Sequence, residues 1–449
     1  MSFPRYPHYK PSGVEWLGEV PEHWEICRLG TICSKIGSGK TPSGGAENYE
    51  TSGILFIRSQ NVHDHGLMLD DAAYISDTID SELSSSRVKR NDILLNITGA
   101  SIGRTCIVST EIGNANVNQH VCIIRMKNTE NAFFVSLSLK SSNSQEQIAA
   151  MQTGAARDGL NYSQISRILT AFPPHDEQKN IITFLVQETA KIDALVAEQQ
   201  RLIELLKEKR QAVISHAVTK GLDPTVPMKP SGIEWLGDIP AHWSAIQIGK
   251  VCHKVADGPH FSPDYVEEGV PFLSARNIRV NEFSLEDVKY ISVSDCDEFD
   301  RRVIPQNGDV LYTKGGTTGI ARVADFTERF QVWVHIAVLK LKRVMADPYF
   351  VAFSLNSIPC YEQSQLLTRG ATNNDLGLTR MIKIWFVLPP LDEQVGIVRF
   401  LDDATAKLDT LTAEAERAIE LLQERRTALI SAAVTGQIDV RQLAQGVAA

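Results

Sequence analysis

Two short motifs contain the residue types of a nucleotide-binding loop and of a metal site. Residues 37–41 (GSGKT) end as a phosphate-binding loop does, but Ser34 stands where that motif requires its first glycine. Pro42 follows at once, where the motif would continue into a helix. Residues 63–65 (HDH) form one tight cluster without further ligands, a pattern typical of a surface turn. The sequence therefore predicts no ATP site and no metal site, and the glycine loop is expected to form a turn or to contact phosphate.

Polar side chains that suit nucleic-acid recognition occur in loops beside predicted strands. Arg, Asn and Gln can read base edges, whereas Ser, Thr and Lys also hold phosphates. For any one residue the alternative is a solvated loop or a local turn hydrogen bond, so any contact with nucleic acid is expected among these loops as a group. In the first half the candidates are Thr41, Arg58, Gln60, Asn61, Thr98, Ser101, Arg104, Gln119 and Arg157. In the second half they are Arg276, Asn277, Lys314, Thr317, Thr318, Arg322, Asn373 and Asn374.

The elements that carry these loops are encoded twice. Residues 10–24 (KPSGVEWLGEVPEHW) and 229–243 (KPSGIEWLGDIPAHW) are identical at eleven of fifteen positions. Residues 172–223 resemble 387–439, and His120 stands opposite His335 between these anchors. An arm, a variable globular block and a long helix thus occur twice, which suggests one task performed on two different targets. The repeated tryptophans Trp16, Trp24, Trp235 and Trp243 are expected to pack each arm on its block, and the paired histidines to be structural or to face DNA.

A heptad pattern predicts a helix over residues 176–219 and again in the second copy. Prolines 173 and 174 precede it, and Gly221 or Gly436 follows the end of each copy. The first helix carries the chain from block one to block two and the second leaves block two, so paired helices would be antiparallel. The alternative is an amphipathic helix packed on its own domain. The predicted coiled-coil seam contains Leu185, Ile192, Leu195, Leu202, Leu206, Val213, Leu401, Leu408, Leu411, Leu422 and Leu429.

The blocks between arm and helix are interpreted as α+β. Predicted strands include 54–57, 93–97, 121–125 and 334–341, and helices are expected within 131–151 and 346–367. The predicted order is an N-terminal arm (1–24), domain 1 (25–171), a central helix (172–223), a linker with the repeated arm (224–243), domain 2 (244–387), a C-terminal helix (388–439) and a tail (440–449).

Composition favours a folded protein of a reducing compartment. Seven scattered cysteines without C-x-x-C spacing argue against a disulfide framework or a zinc site, and no apolar run is long enough for a membrane span. The formal charge is −9, and the two helical segments hold 12 basic and 18 acidic residues, so the blocks are near neutral. Modest DNA affinity alone, with help from a partner, is expected. The N-terminus lacks the apolar core of a signal peptide, and a cytoplasmic location is predicted.

The ordered, duplicated set of motifs resembles the specificity subunit of type I restriction-modification systems over nearly the whole chain. Its marks are the repeated arm, residues 36–45 (IGSGKTPSGG), residues 92–103 (DILLNITGASIG) and the PP-x-DEQ start of each helix. The resemblance implies two pseudo-twofold-related target-recognition domains joined by a long antiparallel two-helix coiled coil. Each domain would read half of a bipartite DNA site, and the helices would set the spacer. The second domain departs from the pattern, since residues 255–265 (VADGPHFSPDY) replace the glycine-rich loop.

The resemblance also implies which chemistry belongs to partners. Two methyltransferase subunits would modify adenine with S-adenosylmethionine, and restriction-translocase subunits would use ATP and Mg, in a bacterial or archaeal cell and on its nucleoid. The Pro-Pro pairs at 173–174 and 389–390 lack the Asn or Asp and the aromatic residue of an adenine methyltransferase. This chain is therefore expected to be non-catalytic and to bind no cofactor. The alternatives are a two-headed protein-binding scaffold without DNA specificity and a free-standing hydrolase.

Overall fold

The computed structural model describes residues 3–109, 112–152, 159–370 and 374–443. The chain divides into two compact units: unit 1 contains residues 1–199 and 417–449, and unit 2 contains residues 200–416. Both boundaries fall inside a long helix, so each unit takes part of each helix. The linear order predicted from the sequence does not contain this division, because it assigns each helix to one segment.

Unit 1 contains the first arm, a globular block that we call head 1 (residues 25–172) and helical segments. Its strands are β1 Tyr9–Pro11, β2 Glu19–Pro21, β3 Glu25–Arg28, β4 Cys33–Ser38, β5 Ile54–Ile57, β6 Val62–His63, β7 Gly66–Leu67, β8 Ala73–Ile75, β9 Ile93–Asn96, β10 Thr105–Ile107, β11 Ala115–Val117, β12 Val121–Met126 and β13 Leu169–Phe172. Its helices are α1 Leu29–Ile32, α2 Asp77–Glu82, α3 Ala132–Lys140, α4 Ser142–Met151, α5 Tyr162–Arg167 and the first part of α6 His175–Lys220.

Unit 2 repeats this order with the second arm and a block that we call head 2 (residues 244–388). Its strands are β14 Met228–Pro230, β15 Asp238–Pro240, β16 Ser244–Gln247, β17 Cys252–Asp257, β18 Tyr265–Val266, β19 Val270–Leu273, β20 Lys289–Ile291, β21 Val310–Thr313, β22 Ala321–Val323, β23 Gln331–Val332, β24 Ile336–Leu341 and β25 Trp385–Leu388. Its helices are α7 Ile248–Val251, α8 Val293–Asp300, α9 Pro348–Leu355, α10 Ile358–Leu367, α11 Leu378–Met381 and the first part of α12 Leu391–Val434.

Each head is built on a four-stranded antiparallel sheet that is buried on both faces. The strand orders are β10-β9-β12-β4 in head 1 and β17-β24-β21-β22 in head 2. Alternate residues of β9 enter different apolar cores, with Ile93 and Leu95 on one face and Leu94 on the other. This two-residue alternation explains why the central strands are continuous apolar runs in the sequence.

A second sheet, of three strands in head 1 and four short strands in head 2, flanks the first and contains one parallel pair. Its order is β11-β5-β8 in head 1 and β18-β20-β19-β23 in head 2, with β11 parallel to β5 and β23 parallel to β19. The predicted strands and paired helices are thus confirmed to within about two residues, and the α+β assignment is correct.

The two long helices pack against each other within each unit. In unit 1, Ile181 and Leu185 near the start of α6 share a core with Leu429 and Ile430 near the end of α12. In unit 2, the end of α6 (residues 214–218) shares a core with Ile397 and Leu401 near the start of α12. The pairing is therefore antiparallel in each unit, as the connectivity predicts.

The predicted coiled-coil seam is wrong at three positions in the middle of the helices and correct on both sides of them. Leu195, Leu202 and Leu411 are exposed at 45 %, 40 % and 47 %, whereas the neighbouring Ile203 is buried. After Ile192 only alternate positions of the buried stripe move one residue onward: Val196 and Ile203 replace Leu195 and Leu202, whereas Leu206 stays on the stripe. These shifts bring the average spacing closer to the 3.6-residue period of a straight α-helix than to the predicted 3.5. The other predicted seam residues keep their places: Leu185, Ile192, Leu206, Leu401, Leu408 and Leu429 are buried, and Val213 and Leu422 are half-buried.

Each arm is fixed to a long helix by the glutamate of the DEQ motif. The indole Nε1 of Trp24 donates to Glu177 Oε2 at 3.1 Å, and that of Trp243 donates to Glu393 Oε2 at 2.9 Å. Both indoles are buried, as predicted. The outer tryptophans do not share this environment, since Trp16 is half-buried and Trp235 is exposed. Among the residues described, every helix is too short or too polar to span a lipid bilayer.

Candidate nucleic-acid interface

In each head, a glycine directly after the first strand of the four-stranded antiparallel sheet (β4 in head 1, β17 in head 2) positions the candidate loop. A Cβ atom on Gly39 would lie 1.6 Å from the carbonyl O of Val117, and one on Gly258 would lie 1.8 Å from that of Val332. Only glycine permits this approach of a loop to the neighbouring backbone. Head 2 therefore does have a loop at the position of the glycine-rich loop of head 1, although its sequence is different.

Head 1 joins three predicted residues and one histidine in a polar cluster at this edge. The backbone N–H and the hydroxyl of Thr41 both donate to Gln119 Oε1, the former at 3.0 Å. Gln119 Nε2 lies 3.3 Å from His120 Nε2, and the Thr98 hydroxyl lies 2.5 Å from His120 Nδ1. These side chains are exposed or half-buried and carry both donors and acceptors, which is the equipment needed to read base edges.

A second group of predicted residues gathers around Asp71 instead. Arg58 Nη2 donates to the backbone O of Asp71 at 2.6 Å, and the Gln60 amide donates to its carboxylate. Asn61 is fully buried, and its amide donates to Asp71 Oδ1 at 3.0 Å and to Met68 O at 3.0 Å. Asn61 is therefore a structural residue, and the prediction of a DNA contact is wrong for it because no part of its side chain faces solvent.

Ser101 and Arg104 lie in a different environment from the Thr41 cluster. Both line a polar groove of about 340 Å³ beside Arg426 of α12. The groove also contains Lys140, whose ammonium donates to Asp64 O at 2.6 Å and whose pKa is lowered by burial. The structure thus brings together only part of the head 1 set. Arg157 lies outside the described residues.

Head 2 places an ion network where head 1 has its neutral cluster. Lys314 follows β21 at the position that Ile97 takes after β9, since the backbone N–H of each donates to the histidine carbonyl of its own head. Its buried ammonium lies 3.2 Å from Asp257 Oδ2 and 3.6 Å from Asp375 Oδ1. Arg302 Nε donates to the same Asp257 carboxylate at 3.0 Å. The loop that follows α10 is joined to this network, because Leu376 N donates to Lys314 O.

Charge and burial set the ionisation of this network. Burial acts to raise the pKa of Asp257, but the Arg302 hydrogen bond and the Lys314 charge outweigh it and hold that pKa below its ordinary value. Burial, together with the Lys314 charge, lowers the pKa of His335. The network therefore keeps the carboxylate charged and the imidazole neutral near pH 7.

The remaining head 2 candidates divide by exposure. Arg276 and Thr317 are exposed, and Asn374 is exposed next to Asn373, which lies outside the described residues. Arg322 is half-buried, with its guanidinium 5.0 Å from the Phe283 ring centre. The predicted roles of three others are revised, because their side chains are buried among internal partners: Asn277, Lys314 and Thr318.

Sequence reasoning missed the charged partners of Lys314. Asp257 and Arg302 are 45 positions apart, and the contact needs the sheet and α8 to bring them together. A local signal existed for one of them, since Asp257 precedes the Gly-Pro turn of the altered loop. Tyr162, whose hydroxyl lies 2.5 Å from Ser38 Oγ at the edge of head 1, was also missed.

The suspected nucleotide and metal motifs have ordinary structural settings. After β4 the chain turns into a short 3-10 helix at Gly45–Asn48, so no α-helix begins at the GSGKT loop. His63 Nε2 lies 2.8 Å from Gln60 O, and Asp64 accepts from Thr105 N at 3.2 Å. In the described part of the chain, no group of three or more His, Cys, Asp or Glu side chains is placed to hold a metal ion.

Comparison with known proteins gives one consistent family. The model of the type I restriction modification DNA specificity domain matches residues 21–205 and 240–421, once per copy of the repeat. The type I restriction enzyme EcoKI specificity subunit of Escherichia coli K12 is 22 % identical over 95 % of this chain and 92 % of its own length. The MjaVIII specificity subunit of Methanocaldococcus jannaschii is 22 % identical over 94 % and 95 %.

A solved structure has the same fold. It is described as the structural basis of complex assembly and conformational transition of the type I R-M system, and it aligns with a TM-score of 0.67 and 16 % identity. The alignment covers 92 % of this chain and 98 % of that one. The duplicated heads, the antiparallel helices and the two family matches together show that this chain belongs to the type I restriction-modification DNA specificity family.

Proposed function

We propose that this chain selects the DNA sequence for a type I restriction-modification complex, with each head reading one half of a bipartite target. The observation that carries the proposal is the paired site itself. Equivalent loops at equivalent strand ends hold a neutral Thr98–His120 pair in head 1 and the Lys314–Asp257 pair in head 2. Two heads that share one fold but differ in the side chains at these loops can read two different half-sites, since base edges are distinguished by their donors and acceptors.

Exposed and half-buried donors in the loops of the two heads supply the expected contacts. Gln119 in head 1 and Arg276 in head 2 suit base edges, whereas Thr41 and Thr317 suit phosphates. The buried residues have a second role in this proposal: they hold the loops that present the exposed ones. Lys314 does so by its bonds to the strand end and to the loop at Asp375.

The chemistry of modification and cleavage belongs to partners in this proposal, and the chain itself is non-catalytic. Two modification subunits would carry S-adenosylmethionine and methylate adenine, and restriction-translocase subunits would use ATP and Mg. The specificity-subunit names of the relatives support this division of labour. We place the assembly on the nucleoid in the cytoplasm of a bacterial or archaeal cell.

The long helices are proposed to set the spacer between the half-sites. They are unbroken over 46 and 44 residues, and reciprocal ion pairs join them within the units. Asp193 pairs with Arg426 at 2.9 Å in unit 1, and Asp409 pairs with Arg210 at 3.2 Å in unit 2. Matched pairs of this kind fix the axial register of two helices.

An exchange of heads tests the proposal. Replacing residues 25–171 by the corresponding block of another family member should change one half of the methylated sequence and leave the other half unchanged. The measurement is the adenine methylation pattern of DNA from cells that express the chimera with its modification subunits. The matched control exchanges residues 244–387 and should change the other half.

Two results would contradict the proposal. If either exchange altered both halves, the heads would not read independently. If the assembled complex protected no specific DNA in footprinting, the two heads would bind proteins instead. A separate test inserts four residues, about one helical turn, after Gln199, which should lengthen the spacer and leave both half-sites unchanged.

A further inference from the structure

The groove between head 1 and the end of α12 has a counterpart in unit 2, and the two grooves differ in charge. The groove of unit 1 is lined by three cations and one carboxylate, which belong to Arg104, Lys140, Arg426 and Asp64. The groove of unit 2 is lined by two cations and three carboxylates, which belong to Arg210, Arg322, Asp325, Asp402 and Asp409. Positive charge is therefore in excess in unit 1, and negative charge is in excess in unit 2.

The cations of the unit 2 groove have carboxylate partners. Arg210 Nε lies 3.2 Å from an aspartate of α12, and Arg322 Nη2 lies 3.9 Å from Asp325 Oδ2. In unit 1 the counterpart of Arg210 is Arg426, which pairs in the same way with an aspartate of α6 at 2.9 Å. The arginines of the long helices thus show that the grooves are equivalent, but they do not account for the difference in charge.

The cations that head 1 adds to its groove have neutral counterparts in head 2. Lys140 directly precedes the N-cap serine of α4, and Asn356 directly precedes that of α10. Arg104 directly precedes β10, and Ile320 directly precedes β22. Because the backbone positions are shared, the excess of positive charge in unit 1 comes from side chains that replace an amide and an apolar residue.

These two cations of head 1 are not balanced by a carboxylate. The half-buried guanidinium of Arg104 makes no hydrogen bond or ion pair with any residue in the described ranges. Lys140 donates to the backbone O of Asp64 at 2.6 Å, and burial lowers the pKa of Lys140 more than the Asp64 carboxylate raises it. An anion between the two cations would form charge-assisted hydrogen bonds with both.

The groove adjoins the candidate DNA-reading cluster of head 1 through the end of β9. Asn96 is the last residue of β9, and Thr98 of the cluster follows two positions later. Asn96 N donates to Arg104 O at 2.9 Å, and the Asn96 amide donates to Ser101 Oγ at 3.1 Å. The hydroxyl proton of Ser101 is therefore left to donate to a ligand, so the groove offers donors from a hydroxyl, a guanidinium and an ammonium.

We propose that the groove of unit 1 binds a backbone phosphate of the target DNA through Arg104, Lys140 and Ser101, and that the equivalent groove of unit 2 does not. The inference rests on the function proposed above and adds an asymmetry to it. A duplex carries one phosphate per about 1.7 Å of its axis, so DNA that contacts Thr98 also brings phosphates to the neighbouring side chains. Charge then holds the DNA at head 1, whereas the acidic groove of unit 2 adds no such attraction.

The salt dependence of DNA binding tests this site. The complex of this chain with its modification subunits is titrated with a duplex that contains the methylated target, and fluorescence anisotropy gives the Kd at several salt concentrations. One phosphate contact contributes about 0.9 to the slope of log K against log salt, so Arg104→Gln and Lys140→Asn should each make the slope less steep by about 0.9. Arg104→Lys keeps the charge and should keep the slope.

A neutral backbone analogue locates the contact on the DNA. Single methylphosphonates replace the phosphates in and beside the half-site that the exchange of residues 25–171 assigns to head 1. For the unsubstituted protein, one replacement should weaken binding about fivefold at about 0.15 M salt. The same replacement should have no further effect on the Arg104→Gln complex, because the contact is already lost.

Lys127→Gln is the matched control. Lys127 is exposed and follows β12, whereas His120 of the reading cluster precedes that strand, so this variant removes one charge at the opposite end of the sheet and should leave the slope unchanged. An unchanged slope in both groove variants, or an equal change in Lys127→Gln, would overturn the proposal. An unchanged slope with loss of a modification subunit from the Arg104→Gln complex in size-exclusion chromatography would overturn it in favour of a partner's carboxylate.

The methylated sequence separates this proposal from the function on which it rests. Phosphate contacts position DNA without reading its sequence, so all of these variants should methylate the same sequence as the unsubstituted protein. A slope that does not respond to Arg104→Gln, with the methylated sequence intact, would refute the phosphate site and leave the sequence-reading role in place. Failure of the head exchanges would instead refute the sequence-reading role.

Discussion

Head 1 and head 2 share their strands and differ in the chemistry at the strand ends. Both have a buried four-stranded sheet, a glycine pressed against a neighbouring carbonyl and a histidine after the same strand. At this place head 1 holds the neutral Thr98–His120 pair, and head 2 buries Lys314 between two carboxylates. The sheet interior tolerates little change because close packing fixes it. The loops at the strand ends can differ in sequence without altering the sheets that carry them.

The largest loss in the free energy of unfolding is expected when Lys314 is replaced. Lys314→Met removes the buried partner of the Asp257 carboxylate and leaves it with Arg302 and the exposed His260, so the free energy of unfolding should fall by about 3 kcal/mol. Thr98→Val removes one neutral hydrogen bond from the cluster of head 1 and should cost about 1 kcal/mol. Urea denaturation measures both, and equal losses would mean that the two clusters do not differ in energetic character.

The glutamates that hold the arms give the next largest contrast. Glu177 accepts from Tyr6, His23 and Trp24, whereas Glu393 accepts only from His242 and Trp243 among the described residues. Glu177→Ala should cost about 2–3 kcal/mol, because it strands two buried donors, and Glu393→Ala about 1 kcal/mol, because that carboxylate is more exposed. A larger loss for Glu393→Ala in thermal unfolding would contradict this order.

The interhelical ion pairs should show no contrast between the units. Asp193–Arg426 and Arg210–Asp409 have similar distances and are partly exposed, so each is expected to contribute about 0.5 kcal/mol. Double-mutant cycles with alanine at both positions of each pair measure the two coupling energies. Coupling energies that differ by more than about 1 kcal/mol would show that the repeat has lost its symmetry in the helices.

The smallest expected effect is a displaced titration at His335. Burial and the Lys314 charge both disfavour the imidazolium, so His335 should titrate below the ordinary value of 6.5. The unfolded chain then takes up this proton at a higher pH than the folded chain, and stability should fall as pH drops below 6.5. Histidine-selective NMR measures the midpoint, and Lys314→Met should move it upward. A midpoint above 6.5 would contradict the assigned causes.

Much of the fold is predictable because local patterns agree with tertiary packing. Proline before and glycine after each heptad pattern predict both long helices, and the predicted bounds of α6 are correct to within one residue. The apolar runs of β9 and β12 predict buried strands. The seam fails at Leu195 and Leu411 because a sequence of leucines is compatible with both a 3.5-residue and a 3.6-residue stripe, and only packing decides between them.

The candidate site is less predictable, since it depends on contacts between distant loops. Residue type selects Thr41, Thr98 and Gln119 as candidate DNA contacts, and the structure gathers them in one cluster. It also selects Asn61 and Asn277, which are buried caps of short 3-10 turns. The sequence shows an amide in a loop in each case. Only the fold determines whether that amide bonds to backbone inside the head or faces solvent.

The division of each long helix between two units has a consequence for synthesis on the ribosome. Residues 200–416 are contiguous, so unit 2 has all its parts when translation reaches residue 416. Unit 1 was begun first, yet it waits for Leu429, Ile430 and Val434, which complete its core. A product that ends before Leu429 therefore lacks part of the core of unit 1, and Ile181 and Leu185 at the start of α6 would lose the apolar partners that cover them.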